Sequence, residues 1–367
     1  MASSLDTGGT GSTPDPEGVL SGAVLRVIRI DLGLSQQAMA ESFNVDPNTY
    51  KSWETGRRPL ARISVQKHRA MTRTLSQLGA NPALLGQLDV AIDVDLTVGQ
   101  MLSAPHDPAD HPLATWVHTR AWHDLLAWGV AGTTPAALQN LDGRIPRPRL
   151  SVPYREQLFD SLRATAERAG DDPSSTLLRR QIFYIETWDE SAGGRDWLAR
   201  QERKELRRLR PVDDWTPTWV AGRSLAVARA CQGDPDQLQH FIAHQLVSDA
   251  QEAANLNYWA YWCGEEAGPA TSDDFMAGGD LGQWRGDGLL RHLTRGIDPA
   301  TPYLELTVHS VWALLARRPW LLDEDPALTA DLGTRVGNLL NHPHALTDSA
   351  RRELEQVHYA VKMKGRR

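Results

Sequence analysis

Apolar positions along the chain recur at helical spacing, and strand-like alternation is scarce. Val24, Leu25, Val27 and Ile28 mark a first helix that closes near Gly33. Ser35 then stands before QQAMAESF as an N-cap, and Asp46 ahead of Pro47 opens a third helix that ends at Gly56. A hydroxyl or carboxylate at the cap accepts a bond from an otherwise orphaned amide, and proline at the first position has no amide to orphan. Glycine past the last turn takes the left-handed conformation without steric cost. A further helix is predicted over residues 63–78, followed by the apolar but acidic stretch LLGQLDVAIDVDLTVGQML.

The segment SAPHDPADHPLATW, with prolines at 105, 108 and 112, predicts a boundary. Beyond it, apolar-periodic stretches of roughly 15–30 residues alternate with turn signals such as AGDDPSS, RPVDDWTP, QGDPDQ, RGIDPATP, DEDPA and NHPHALTD. The predicted fold class is therefore all-α: a small N-terminal helical module followed by an array of antiparallel helical hairpins. No repeat of fixed period is visible, so a tetratricopeptide-like solenoid is an architectural expectation only. The expected organisation is a disordered tail over 1–19, a module over 20–80, a linker and candidate dimerisation segment over 81–112, and an all-helical domain over 113–367.

Composition narrows the class. The chain has 367 residues, 41% of them hydrophobic, with a net charge of -7. That is room for two or three domains of roughly 100–200 residues each. Two cysteines, Cys231 and Cys263, make neither a disulfide framework nor a metal-ligand set. No run reaches the ~20 apolar residues of a membrane span, and the first 20 residues lack the basic and apolar regions of a secretory signal. A cytoplasmic location is the expectation. Charge is uneven, however. Between residues 21 and 75 the basic side chains Arg26, Arg29, Lys51, Arg57, Arg58, Arg62, Lys67, Arg69 and Arg73 face only Asp31, Glu41, Asp46 and Glu54. A basic module inside an acidic chain is the charge signature of a nucleic-acid-facing surface.

The same region carries the most specific motif. LGLSQQAMAESFNVDPNTYKSWETGRRPL, residues 32–60, reads as two short helices joined by a tight turn at Phe43-Asn44-Val45. Leu34, Met39, Phe43, Val45, Tyr50 and Trp53 are its candidate core, with the small Ala38 and Ala40 where helices cross. With its LSQQAMA start, its VDPNTYKSWETG segment and its Trp53-Glu54-Thr55-Gly56-Arg57-Arg58-Pro59 ending, it resembles the helix-turn-helix of lambda-repressor-like (XRE) regulators over about 45 residues. The resemblance implies that Gln36 meets the DNA backbone and that Pro47, Asn48, Thr49 and Lys51 face the major groove. It also implies that Arg57 and Arg58 reach phosphate. Gln37 is either solvated or close to a phosphate. Asn48 stands where the family often has Ser or Thr, which alters the base preference rather than the module. The chemistry agrees: Asn bonds adenine bidentately, Thr offers thymine a methyl, and Lys and Arg give affinity through phosphates. The implied function is a transcriptional regulator on double-stranded DNA, and a single module of this size implies a homodimer on an inverted repeat.

The rest of the chain is less explicit. Its layout resembles actinobacterial regulators with helical C-terminal regions that bind a small molecule, a peptide or a protein, although the tetratricopeptide motif is not evident. Of thirteen tryptophans, twelve lie beyond residue 110. In NLNYWAYWCGEEAG, Trp259 and Trp262 share one helical face and Tyr258 and Tyr261 a neighbouring one. Core packing is the simpler reading, and a lining for an apolar or aromatic effector built on Tyr258, Trp259 and Trp262 is the sharper one. Asn255, Asn257, Glu265 and Glu266 would then sit at its rim. A basic helix over 195–211 and a basic C-terminus (Lys362, Lys364, Arg366, Arg367) read first as solvated faces. His240 and His244 are four apart, but position 241 is not the Glu of an HExxH site. His106, His111, His342 and His344 join no cysteine ligand. No nucleophile elbow or phosphate loop is present, so no catalytic residue, metal or cofactor is expected. The competing reading makes the large domain a constitutive dimerisation and partner-binding scaffold whose helix-turn-helix recruits a protein.

Overall fold

A computed structural model describes residues 15–103, 107–139, 145–208, 217–265, 270–277, 281, 284–341 and 346–364. Every regular element among them is helical, with no strand. Most of the predicted disordered tail lies outside the described residues, as do RPVDDWTP up to Thr216 and, in NHPHALTD, the two histidines.

The contacts divide the chain into two units, Met1–Pro105 with Ala121–Ser161, and His106–Arg120 with Leu162–Arg367. The first contains α1 (Val19–Asp31), α2 (Gln36–Ser42), α3 (Pro47–Glu54), α4 (Val65–Gln77) and α5 (Pro82–Ser103), then nearly all of α6 (Arg120–Val130) and the start of α7 (Val152–Arg168). One cut falls between Pro105 and His106, inside the proline-rich segment, and the chain returns to the first unit at Ala121. Helix α5 falls in the first unit: its Leu84, Leu88, Ala91, Val94 and Val98 are buried, and its Asp95 is buried with them. Both Asp95 carboxylate oxygens accept backbone amides from the first turn of α1, Leu20 at 3.0 Å and Ser21 at 2.8 Å. An acid at that place satisfies orphan donors and faces the positive end of the helix dipole. Burial nevertheless pushes the Asp95 carboxyl up to about 7.

The helix ends predicted around residues 31–56 form by the chemistry expected of them. Ser35 Oγ accepts from the Ala38 amide at 3.1 Å, and Asp46 from the Asn48 amide at 2.8 Å, with Pro47 opening α3. Between α2 and α3, Asn44 takes a left-handed φ of 51°, and the Val45 amide closes back on the Ala40 carbonyl at 3.0 Å. That pairing satisfies the last carbonyls of α2 and sets the turn. Helix α1 crosses the end of α3 at Gly22, where a Cβ would lie 2.4 Å from the Trp53 carbonyl oxygen. Only glycine permits that approach.

The second unit contains the rest of α7, then α8 (Pro173–Glu186), α9 (Ala192–Arg208), α10 (Pro217–Cys231), α11 (Asp236–Gln245), α12 (Asp249–Trp262), α13 (Asp287–Gly296), α14 (Leu304–Arg317), α15 (Leu321–Glu324), α16 (Pro326–Leu340) and α17 (Asp348–Lys364). Helix α10 packs against α8, α9 and α11, while α14 packs against α12, α13 and α17. Two of the turn signals contain Asp-Pro helix starts: Asp172 accepts from the Ser175 amide and Asp325 from those of Ala327 and Leu328. One apolar core runs from Trp219 and Leu256 through Leu289 and Val311 to Leu332 and Leu354. No helix of the described residues is long and apolar enough to cross a membrane.

Candidate nucleic-acid interface

The local scaffold is a buried carboxylate. Glu54, at the end of α3, has 1% of its side chain exposed. It accepts from Arg29 Nε at 2.5 Å, from Tyr50 Oη at 2.7 Å and from Gln36 Nε2 at 2.6 Å. Arg29 also donates through Nη1 to the Leu34 carbonyl at 2.9 Å. One carboxylate thus ties α1, α2 and α3 together. Burial works against the Arg29 charge, but the bond to Glu54 outweighs it and raises the guanidinium above its usual range. Burial first, and Glu54 next, push the Tyr50 phenol up, so it stays a donor. Beneath this point Met39, Tyr50 and Trp53 are buried, and the rings of Phe43, Tyr50 and Trp53 meet at centroid distances of 5.9 to 6.4 Å. Lys67 of α4 lies over the Trp53 ring at 5.1 Å.

The opposite face of α3 meets solvent. Asn48, Thr49, Ser52, Arg57 and Arg58 line one open groove of about 360 Å³. Thr49 and Ser52 are half-buried, and Pro47, Asn48, Lys51, Arg57 and Arg58 are exposed. Arg58 Nη1 reaches Thr49 Oγ1 at 3.5 Å, and Arg57 Nε reaches Thr55 Oγ1 at 3.2 Å. Ser52 Oγ donates to the Asn48 carbonyl at 2.6 Å. The Asn48 carboxamide and the Lys51 ammonium make no hydrogen bond to the described residues, so both are available to a partner.

Four of the sequence-predicted residues, Asn48, Thr49, Arg57 and Arg58, therefore share one surface, with Pro47 and Lys51 exposed on the same short helix. Ser52 joins them and was not singled out from sequence. Its signal was its spacing, four residues after Asn48 and three after Thr49 on a helix. Gln36 is half-buried, and its amide donates to buried Glu54. Gln37 is exposed and donates to Glu41 at 3.1 Å, one turn on.

In the second unit, Tyr258, Trp259 and Trp262 are buried on α12. Trp262 meets Tyr184 at 5.2 Å, and Trp259 meets His292 at 5.4 Å and Tyr303 at 6.0 Å. Asn255 and Asn257 are buried in the same helix rather than set at a rim. Glu265 accepts the backbone amides of Gly286 and Leu289 at the start of α13. Glu266 lies outside the described residues. A separate cavity of about 310 Å³ opens among α9, α10 and α11, with Leu225, Phe241, Glu202, Arg229, His240 and His244 in its wall. The two histidines stack at 4.2 Å, and no group of three or more His, Cys, Asp or Glu able to hold a metal occurs among the described residues. Burial pushes the Cys231 thiol up to about 11 and the Cys263 thiol to about 12, which keeps both protonated at neutral pH.

No protein-family model, curated protein or solved structure matches this chain.

Proposed function

We propose that the chain is a sequence-specific DNA-binding transcriptional regulator. In this reading α2 and α3 are its helix-turn-helix, it acts as a homodimer on an inverted repeat, and its helical second unit senses a small molecule or peptide. The observation that carries the proposal is the groove of Asn48, Thr49, Ser52, Arg57 and Arg58, set on a helix whose inner face is tied down by Glu54. A carboxamide free at the first turn of α3 suits the paired donor and acceptor of adenine in the major groove. A threonine beside it suits a thymine methyl, and two arginines just past the helix suit phosphate. A fixed inner face matters because base readout needs side chains held in register with the groove. One such module contacts few phosphates, and two copies on two half-sites supply the affinity that one lacks.

Selection from a pool of random duplexes tests the reading. The full chain is expected to enrich an inverted repeat, and a variant carrying Asn48→Ala, Thr49→Ala and Lys51→Ala is expected to lose it. Weak, salt-sensitive binding without enrichment would refute DNA readout by the free protein and favour protein recruitment by the same module.

A further inference from the structure

The second unit buries two arginines around one tyrosine, and a carboxylate answers only one of them. Arg180, on α8, donates through Nη2 to Asp273 Oδ1 at 2.6 Å and through Nε to Oδ2 at 3.2 Å. Its guanidinium carbon lies 5.4 Å from the Tyr258 ring centre. Arg223, on α10, is 3% exposed, and its guanidinium carbon lies 4.3 Å from the Tyr258 ring centre and 5.0 Å from that of Trp259. Its Nε donates to Asn255 Oδ1 at 2.8 Å. Its Nη2 is buried with no hydrogen-bond partner, and Arg223 forms no ion pair with any described residue.

The neutral groups around it are already engaged. Asn255 Nδ2 donates to Ser310 Oγ at 2.9 Å, and Trp259 Nε1 donates to the same oxygen at 3.0 Å. The aromatic faces attract the cation but carry no net charge. A guanidinium does not escape burial by losing its proton, and Arg223, pushed down to about 10 by burial, is still charged at neutral pH. A buried charge held without a counter-ion is less stable than an apolar side chain of similar volume, so its presence calls for a ligand that completes it. Burial first, then Arg180 for His118 and Arg120 for His292, pushes both histidines down to about 3, so neither adds a charge at neutral pH.

The geometry points to an oxyanion site, in which Arg223 Nη2 holds the carboxylate or phosphate group of a small molecule against Tyr258 and Trp259. Arg180, neutralised by Asp273, keeps the local charge positive by one. This names the chemistry of the effector in the function proposed above and rests on that reading for its regulatory meaning; the binding itself does not.

The test uses the full chain without DNA. Benzoate and inorganic phosphate are titrated separately, followed by tryptophan emission and by calorimetry, with the parent, Arg223→Met and Arg223→Lys. At least one anion is expected to saturate. Arg223→Met is expected to weaken it roughly 30-fold or more while melting close to the parent. Arg223→Lys keeps the charge but loses the planar fork, so its loss is smaller, and it stands in should the Met variant not fold. Saturation by benzoate alone assigns a carboxylate on an organic body, and by phosphate alone a phosphate group. Failure of both anions to saturate by about 10 mM, where even millimolar affinity would show, overturns the inference. So does binding that the variants leave unchanged. Anion binding without any DNA enrichment would keep this site and refute the regulatory reading.

Discussion

Two arginines drawn away from solvent, Arg29 half-buried and Arg223 buried, make the sharpest contrast in the molecule. In the first unit, Arg29 meets Glu54 at 2.5 Å, and Tyr50 and Gln36 complete the carboxylate's shell. In the second unit, Arg223 has one neutral partner, two aromatic faces and a free Nη2. Both lie on helices and both are largely removed from water, yet only the first is electrostatically finished. A satisfied network fixes a unique geometry, and an unfinished one calls for an explanation, which the proposed anion supplies. The first unit thus uses its buried charge to hold an exposed surface still. The second leaves a charge open inside.

The contrast breaks most visibly at Glu54. Glu54→Ala leaves Arg29, Tyr50 and Gln36 without their acceptor, and the expected loss is about 3–5 kcal/mol of unfolding free energy in a urea titration. Arg29→Met is expected to fall in the same range, since it strands the carboxylate. Gly22→Ala comes next, at about 1–3 kcal/mol, because its methyl would press on the Trp53 carbonyl that leads into Glu54. A Gly22→Ala protein as stable as the parent would show that α1 and α3 do not cross so closely. Arg223→Met has the smallest expected effect on stability, within about 1 kcal/mol of the parent, since it strands the neutral Asn255 Oδ1 but no counter-ion. A loss as large as that of Arg29→Met would erase the distinction between the two sites.

A third buried charge sharpens the comparison through pH. The Asp95 carboxyl is raised to about 7 in the folded chain by burial, against an ordinary value near 3.8. A raised carboxyl makes the folded state bind more protons than the unfolded one between those values. Its contribution to stability is therefore fully present below pH 3.8 and is lost as pH rises towards about 7. Asp95→Asn is expected to flatten that part of the stability profile of the first unit, read from unfolding midpoints between pH 4 and 8. An unchanged slope would place the titration elsewhere.

Much of the first unit was legible because its signals are local. Ser35, Asp46, Pro47 and Gly56 each act within a few residues, and an N-cap or a left-handed glycine is written in the chain next to the helix it ends. The exposed residues of α3 were legible for the same reason: once the helix is placed, Tyr50, Trp53 and Glu54 point inward and Asn48 and Thr49 cannot. What escaped depends on partners far away in sequence. Glu54 reads as a cap or ion-pair residue, but that it gathers Arg29, Gln36 and Tyr50 requires three helices to meet. That meeting gives the half-buried Gln36 its acceptor. Asp95 reads as one acid in an acidic stretch until α1 offers it two amides. Tyr258, Trp259 and Trp262 fit the core-packing reading, and the residue that gives their surroundings chemical meaning, Arg223, lies 35 residues before Tyr258 on a different helix. Periodicity places it on α10 but carries no information about the missing counter-ion.

In the proposed function, the exposed face of α3 reads bases while the arginines beyond it hold phosphate. This reading is tested most directly by measuring the affinity of Asn48→Ala and Arg58→Ala, each for the enriched duplex and for a scrambled one, at two salt concentrations. Asn48→Ala is expected to cost about 1–3 kcal/mol on the enriched duplex and almost nothing on the scrambled one. Arg58→Ala is expected to weaken both alike and to lower the salt dependence by about one unit of slope. Equal behaviour of the two variants on both duplexes would contradict the reading.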